Sequence, residues 1–536
     1  STAWNDGGNW SSNGTALSGA VYPGAGNNDD ARIGVTGTFT NQPAIASALP
    51  HSLNSLTFGN SSGAATLTIN TGVAFNPGDF TINANSTANV IDNGPVNLAG
   101  NYSTSASSTL NLSGSGTFTY NNIFLPFTNA GAINQSGTGN VSISASPISN
   151  PGTITQTGTG SMALNGSSAF GSALSNSGTI IQSGAGSITF NTFAILFGSN
   201  VITNSNTISQ TGAGIMTFNE PFSNSGGTSD FSVTGASTLA FASTFSNSGT
   251  TVFGPATVTI ADDFTNTSGT TTFGSGPATL SGEFTNTTGT TTFGTGLVTF
   301  NSTAGNTKIT NTPNSTLTFV NVLFTKGHFL FKTGGGSSSN IAIASTGVMT
   351  LSSNAQLDFS NVNQLILLSD ANSSATIAAI PAGCAINTTN KVAVQRFIKG
   401  SSDIRNLSKR GYRLLSSTVY TGSENGVNFY DLSYLTNSVH LSGPGYAANG
   451  FDVTSTANPS IYLFREDIPP PPSNSTVFTT GYNWKGVAKI NDAPLYKIGT
   501  QAKNTTANVF DASYNLPVGN GILYFLRGDL AQAVLP

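Results

Sequence analysis

The sequence predicts an all-β protein: a parallel β-solenoid (β-helix) of about 20-residue coils, followed by a C-terminal β-sandwich domain. First, three consecutive stretches, 245–254, 264–274 and 284–294, are near copies of one another. Second, the repeat is rich in Thr, Val and Phe and broken by Asn and Gly, which is typical of strands and turns. Third, only 7% of residues are charged, which suits a stack in which side chains at one position recur about every 4.8 Å.

The repeat extends well beyond these three stretches. A Gln-Ser/Thr-Gly-x-Gly motif begins at Gln135, Gln156, Gln182 and Gln210, with spacings of 21, 26 and 28 residues. Coils therefore share a common core and differ by loop insertions. Between the turns lie short runs in which polar and apolar residues alternate, such as Ser187–Phe190, as expected for strands. We therefore predict one solenoid over residues 33–390, with on the order of 17 rungs and a length of about 80 Å.

Stacked coils bring equivalent residues into columns. We expect Phe253, Phe273 and Phe293 to form an aromatic column inside the solenoid, because they recur every 20 residues. Asn and Thr at the corners are expected to hydrogen-bond along the stack, as in other stacked sheets.

Residues 1–32 are predicted to cap the first coil. An open solenoid end exposes unpaired strand edges, which proteins cover. Trp4, Trp10 and Tyr22 supply apolar bulk for such a cap. The chain begins at Ser1, and neither a signal peptide nor a run of 18 apolar residues is visible. These features favour a mature secreted chain without a transmembrane segment, and the single Cys384 excludes an intramolecular disulfide framework.

Charge divides the chain near residue 390. Residues 1–390 carry 4 basic and 12 acidic side chains, whereas residues 391–536 carry 13 basic and 9 acidic ones. The turn repeat also stops there, and short strand-like runs follow. We predict a separate β-sandwich domain over residues 391–536.

Six basic residues crowd the start of that domain. They form a candidate surface for an anion or a neighbouring subunit and comprise Arg396, Lys399, Arg405, Lys409, Arg410 and Arg413. One interpretation is a solvated strand-and-loop surface with no binding role. The other is a binding surface for acidic polysaccharide or for the acidic end of another copy of the chain. Nucleic acid is disfavoured, because the chain is acidic overall and the cluster lacks a recognition motif.

Catalytic and metal-binding patterns are weak. Asp263 and Glu283 each precede the first Phe of a repeat, so they are expected one rung apart on one face. Such a pair could act in glycoside hydrolysis or bind calcium. The simpler interpretation is an exposed corner of two coils with no catalytic role. A catalytic site would also need a base or a stabilising Arg or Lys, and no basic residue lies between Arg32 and Lys308 in the sequence. Asp262 with Asp263, and Asp29 with Asp30, are weak calcium candidates. We predict no catalytic residue and no cofactor.

Both ends of the chain resemble a known class of proteins. The segments Trp4–Ser11, Tyr22–Gly24 and Asn28–Ile33 resemble the opening of large secreted surface proteins of Bacteroidetes-type bacteria. Four C-terminal segments are similar to a β-rich module of the same class and comprise Val394–Ile398, Gly411–Ser417, Asn449–Asp452 and Gly521–Asp529. The resemblance covers about a third of the chain. It implies export through the outer membrane by type IX secretion and an extracellular or cell-surface location.

Three functions are compatible with these features. The first is a non-enzymatic extracellular structural protein that assembles head-to-tail with copies of itself into a filament, sheath or surface layer. The second is a cell-surface adhesin, with the solenoid as a stalk and the basic domain binding glycan or a surface. The third is a solenoid polysaccharide lyase or hydrolase, which the scarcity of basic residues in the solenoid disfavours.

Overall fold

Parallel strands stacked coil upon coil make up most of the protein, which we describe from a computed structural model. Contacts divide the chain into two units: Ser1–Ser369 with Ser373–Ala393, and Asp370–Asn372 with Val394–Pro536. The residues that the structure describes are 3–12, 15–18, 20–34, 42–59, 63–168, 172–194, 199–302, 305–336, 338–389, 392–398, 411–417, 422–424, 427–430, 432, 435, 439–452, 458–464, 484–487, 490, 509–510, 516–519 and 521–526.

The first unit is a parallel β-solenoid of about 15 turns. Each coil passes in turn through three parallel sheets, which we call sheets 1, 2 and 3. Within the described residues they contain 16, 12 and 15 strands. The expectation of about 17 rungs is slightly high, because corner insertions lengthen several coils beyond 20 residues.

Sheet 1 comprises Asp30–Ile33, Ser55–Phe58, Asp79–Ile82, Tyr102–Thr104, Phe127–Thr128, Ile148–Asn150, Ser172–Asn176, Ser199–Asn204, Phe222–Asn224, Phe245–Asn247, Phe264–Asn266, Phe284–Asn286, Thr307–Asn311, His328–Thr333, Gln356–Asn361 and Ala385–Asn387. Sheet 2 comprises Ala44–Ile45, Gly63–Ile69, Ser86–Asp92, Thr109–Leu112, Ala132–Gln135, Thr153–Gln156, Thr179–Gln182, Thr207–Gln210, Asp230–Val233, Thr250–Val252, Thr270–Phe273 and Thr290–Phe293. Sheet 3 comprises Val96–Leu98, Phe118–Asn122, Val141–Ala145, Met162–Ser168, Ile188–Ala194, Ile215–Phe218, Thr238–Phe241, Thr257–Ile260, Ala278–Leu280, Leu297–Phe300, Thr316–Thr325, Asn340–Ser352, Gln364–Leu367, Thr376–Ile377 and Val392–Val394.

The strand register pairs residues of the same type on neighbouring coils. Phe245 pairs with Phe264, which pairs with Phe284, and sheet 2 continues this rule by pairing Phe273 with Phe293. Side chains alternate between the interior and solvent along most strands, as the period-two pattern predicts. The interior is one continuous apolar cluster from Trp4 to Leu367.

Glycine is required where one coil's corner touches the next. A Cβ atom on Gly152 would lie 2.0 Å from the carbonyl oxygen of Gly131, and one on Gly178 would lie 2.0 Å from the carbonyl oxygen of Gly152. Contacts this short do not occur in real structures, so a side chain at these positions would push adjacent coils apart. The recurrent Asn-x-Gly turn is therefore a packing requirement of the coil-to-coil spacing.

Two indole rings close the N-terminal end of the solenoid. Trp4 is fully buried, and its ring centroid lies 4.5 Å from that of Trp10 and 6.0 Å from that of Phe75. The indole Nε1 of Trp4 donates to the carbonyl of Pro23, and that of Trp10 donates to the carbonyl of Trp4, each at 2.8 Å. Tyr22 is half-buried against the same core. A two-stranded antiparallel sheet, Ser11–Ser12 with Thr15–Ala16, and the 3₁₀-helix Gly7–Asn9 belong to this segment.

The second unit contains small, mainly antiparallel sheets. The five-stranded sheet has the order Gly411–Leu415, Ile522–Leu526, Ile461–Phe464, Trp484–Val487 and Val509–Phe510; the three-stranded sheet has the order Gly422–Glu424, Val427–Tyr430 and Leu516–Pro517. Short 3₁₀-helices lie at Gly334–Gly336 in the solenoid and Tyr446–Asn449 in this unit. The β-sandwich stays a prediction, since the described residues show these small sheets alone. No helix among the described residues has the length and apolar character needed to cross a membrane.

Candidate functional site

The column of Phe253, Phe273 and Phe293 lies in the solenoid interior. All three side chains are buried, with exposed fractions of 1%, 2% and 4%. Ring centroids are 4.9 Å apart between Phe253 and Phe273 and 5.1 Å apart between Phe273 and Phe293. Phe319 continues the column at 4.7 Å from Phe293. These rings stabilise the stack and offer no surface to a ligand.

A ladder of buried asparagines lies at the ends of nine successive sheet 1 strands, from Phe127–Thr128 to Thr307–Asn311. In each pair, the side-chain Nδ2 donates to the Oδ1 of the next coil, at 2.7–3.3 Å. The members are Asn129, Asn150, Asn176, Asn204, Asn224, Asn247, Asn266, Asn286 and Asn311. The sequence indicated hydrogen-bonding corners, but it did not show that these amides lie inside the solenoid.

Buried glutamines hold the turn from sheet 2 to sheet 3. Nε2 of Gln135 donates to the carbonyls of Gly137 and Gly139, both at 2.9 Å, and Gln156 repeats this arrangement one coil later. Gln182 and Gln210 hold the same turn through the carbonyls of Gly186 and Gly214. The Gln-x-Gly-x-Gly motif is therefore a turn brace, since each amide satisfies carbonyls that the tight turn leaves inside.

The solvent side of sheet 2 carries a long file of threonines, which we call the threonine face. Register pairing aligns the first outward residue of ten successive strands: Thr87, Thr109, Ala132, Thr153, Thr179, Thr207, Asp230, Thr250, Thr270 and Thr290. The second outward residues form a parallel file: Asn89, Asn111, Asn134, Thr155, Ile181, Ser209, Ser232, Val252, Thr272 and Thr292. Among these twenty described positions, one is charged.

A shallow groove of about 460 Å³ runs beside the first half of the threonine face. It follows the corner between sheets 1 and 2 and is lined by small side chains and turn backbone, including Ser107, Gly131, Thr153, Thr179 and Asn206. It spans five coils, so its long direction follows the stack of coils. Neither this groove nor the threonine face is among the features predicted from the sequence, although the repeated Thr-Thr-Thr of 270–272 and 290–292 was an available signal for the face.

Asp263 and Glu283 lie on neighbouring coils, together with a cation. The backbone N–H of Glu283 donates to Asp263 Oδ1 at 2.7 Å, and Lys308 Nζ lies 2.8 Å from Glu283 Oε1. Hydrogen bonding and charge attraction from Glu283 raise the pKa of Lys308. One carboxylate is thus tied to backbone and the other to a lysine, an arrangement expected of a rung corner.

The other acidic pair belongs to the N-terminal cap. Asp29 Oδ2 accepts the N–H groups of Gly24 and Gly26, and Asp30 Oδ1 accepts from Asn54 and Ser55. These donors lower the pKa of Asp30. Within the described residues, no three His, Cys, Asp or Glu side chains are grouped so that they could hold a metal ion. Calcium binding therefore has no supporting geometry at these carboxylates.

One buried carboxylate forms no ion pair with any of the residues that the structure describes. Asp92 ends a sheet 2 strand, is 3% exposed, and accepts a hydrogen bond from the backbone N–H of Gly114 at 2.9 Å. Burial raises its pKa to about 6, and the backbone hydrogen bonds oppose that rise only in part. The protonated form is accordingly favoured inside the solenoid below about pH 6.

Most of the basic cluster lies outside the residues that the structure describes. Lys399, Arg405, Lys409 and Arg410 fall outside the described residues. Arg396 is exposed, and Arg413 is half-exposed and donates to the carbonyl of Tyr412 at 3.0 Å. The grouping of these six residues into one surface therefore stays a prediction.

Aromatic and aliphatic side chains are exposed on one face of the five-stranded sheet. Tyr412 is 52% exposed and Leu414 is 71% exposed. The Tyr412 ring is held by edge contacts with Tyr462 and Phe525, at centroid distances of 5.9 and 5.1 Å. A fixed, accessible ring of this kind is suited to stacking on an apolar or sugar surface.

No family model, no curated protein and no solved structure matches the chain.

Proposed function

We infer that the chain is a non-enzymatic extracellular structural protein whose solenoid is the rigid element of a filament, sheath or surface layer. The observation that carries this inference is the continuous coil-on-coil pairing of three sheets, reinforced by the buried asparagine ladder. Each rung adds backbone hydrogen bonds to the rung before it, and many rungs add an aromatic contact or an amide contact as well. Such a stack resists bending and local opening, as a load-bearing element requires.

The head-to-tail assembly rests on the charge division of the sequence. Residues 1–390 have a net charge of −8 and residues 391–536 have a net charge of +4. Opposite charges at the two ends of one chain favour a heterologous contact, and a heterologous contact that does not close generates a filament. The predicted C-terminal β-sandwich supplies the basic partner in this scheme, and secretion by the type IX route places assembly outside the cell.

Negative-stain electron microscopy of the purified full chain tests the assembly. We expect filaments at low ionic strength that shorten as salt screens the charges, and no filaments after deletion of residues 391–536. Dispersed particles under all salt conditions would contradict self-assembly. Circular dichroism of the deletion variant serves as the control, since a solenoid that keeps its β-sheet signal shows that the lost filaments reflect a lost contact.

A second candidate function, adhesion, is favoured by the exposed Tyr412 ring. Aromatic rings stack on sugars, and the basic character of residues 391–536 suits an acidic polysaccharide. Binding of the full chain to acidic and neutral polysaccharides tests this role. We expect Tyr412→Ala to weaken binding to the acidic polysaccharide, whereas Phe124→Ala, which truncates an 84% exposed ring on the solenoid, should leave it unchanged.

A further inference from the structure

We propose that the threonine face of sheet 2 binds ice. The first file presents a threonine, with its hydroxyl and methyl groups, on eight of ten successive strands, and the second file adds Thr155, Thr272 and Thr292. Strands in a sheet lie about 4.8 Å apart, and outward residues of one strand are about 6.6 Å apart. The first spacing is close to the shortest repeat of ordinary ice. A face with this period can hold a layer of water that continues into the crystal.

The regularity of the face is best at its C-terminal end. Thr250, Thr270 and Thr290 are exposed and directly paired in register, and Thr272 pairs with Thr292 beside them. No register shift interrupts these strands. Threonine is β-branched, so its side chain has few accessible rotamers and keeps its hydroxyl and methyl groups in fixed places. Binding therefore costs little side-chain conformational entropy.

The near absence of charged side chains on the threonine face favours ice over periodic ligands that carry charge. Ice is uncharged and rejects dissolved ions as it grows, and an ionic side chain would organise water around itself instead. Asp230 is the one charged residue among the twenty described positions of the two files. Sheet 3 of the same coils also carries outward threonines, such as Thr259 and Thr279, but the exposed side chains of Leu297 and Ile215 lie among them.

The buried ladders give the face its rigidity. Asn247 and Asn266 lie at the corner directly before Thr250 and Thr270, and Nδ2 of Asn247 donates to the carbonyl of Thr270 at 3.2 Å. Nδ2 of Asn266 donates to the carbonyl of Thr290 at 3.1 Å. Six of the eight threonines of the first file are thus fixed to the preceding coil by a buried amide as well as by the sheet. This proposal is independent of filament assembly and of glycan binding.

The experiment uses the full chain and ice alone as the probe. We expect a gap between the melting and freezing temperatures of a single ice crystal, and accumulation of labelled protein on the ice surface. Thr270→Lys, at the centre of the regular region, should abolish both signals. Thr259→Lys, which places the same charge at an exposed threonine of sheet 3, should retain them. Asp230→Thr should widen the temperature gap by completing the file.

Thermal unfolding of each variant shows whether the solenoid is intact, so that a lost signal is assigned to the face only in a folded protein. Full chain that produces no temperature gap and is excluded from growing ice would overturn the proposal. Equal loss in Thr270→Lys and Thr259→Lys would also overturn it, because the effect would then belong to the whole surface.

Discussion

Asn224 donates from Nδ2 to the Oδ1 of Asn247 at 2.9 Å, and both side chains are completely buried. The two residues are 23 positions apart in sequence and adjacent in space. Asn247 in turn donates to Asn266 at 3.2 Å. A polar atom buried without a partner costs free energy, so each amide depends on the coils on both sides of it. The ladder therefore couples neighbouring coils.

Replacing Asn247 should destabilise the solenoid strongly. Asn247→Leu removes the acceptor for Asn224 and the donor for Asn266, leaving buried polar atoms unsatisfied on two coils. We expect the free energy of unfolding to fall by about 2–4 kcal/mol, measured by urea denaturation. Asn206→Ala is the matched control, because Asn206 is exposed, and a change within about 0.5 kcal/mol is expected. Equal effects of the two substitutions would contradict the coupling role of the ladder.

The aromatic column should also contribute to stability, through apolar packing between coils. Phe273 lies between Phe253 and Phe293, so Phe273→Ala should leave a cavity in the stack and cost about 3–5 kcal/mol. The measurement is the midpoint of urea unfolding at constant slope. Phe124 is 84% exposed, and Phe124→Ala should change stability by less than about 0.5 kcal/mol. A mild effect at Phe273 would show that the stack repacks around the cavity.

Trp4 should anchor the N-terminal cap. Trp4→Ala removes contacts with Trp10 and Phe75 and the hydrogen bond to Pro23, and we expect the first coils to open locally before the rest unfolds. Hydrogen exchange followed by mass spectrometry should show faster exchange over residues 42–58, with little change around residue 250. Trp4→Phe keeps most of the packing and should show an intermediate increase. Uniform acceleration along the solenoid would argue against a local cap.

Asp92 should make stability depend on pH. Its folded pKa of about 6 lies above the ordinary value of 3.8, so the folded protein holds a proton that the unfolded chain releases between these values. Stability should therefore decrease as pH rises from about 4 to about 6. Asp92→Asn keeps the acceptor for Gly114 and removes the ionisation. We expect it to be more stable than the parent by on the order of 2 kcal/mol above pH 7 and equal to it near pH 4.

Thermal unfolding of both proteins across this pH range measures the effect of Asp92. Other carboxylates titrate in both chains, so the difference between the two curves isolates Asp92. A difference that does not vary with pH would show that Asp92 ionises in the folded protein as readily as in the unfolded chain.

The sequence by itself determined the coil. Phe253, Phe273 and Phe293 recur at a fixed interval, and their alternation with polar residues specifies strands with one buried face. The parallel solenoid was therefore predictable from periodicity. The C-terminal β-sandwich remains a prediction, because residues 391–536 have no repeat to constrain them and the described part shows two small sheets.

Tertiary structure decided which residues are in contact. Each strand pairs with the equivalent strand of the next coil, whatever the number of residues between the two. Lys308 follows Glu283 by 25 positions in the sequence. It lies at the start of the sheet 1 strand of the next coil, where its side chain forms an ion pair with Glu283. Thr207 and Thr179 are 28 positions apart and still pair, since the insertion is absorbed at a corner. The first half of the threonine face has the same origin: unequal insertions separate Thr153, Thr179 and Thr207 in the sequence, and hydrogen bonds between coils align them in space.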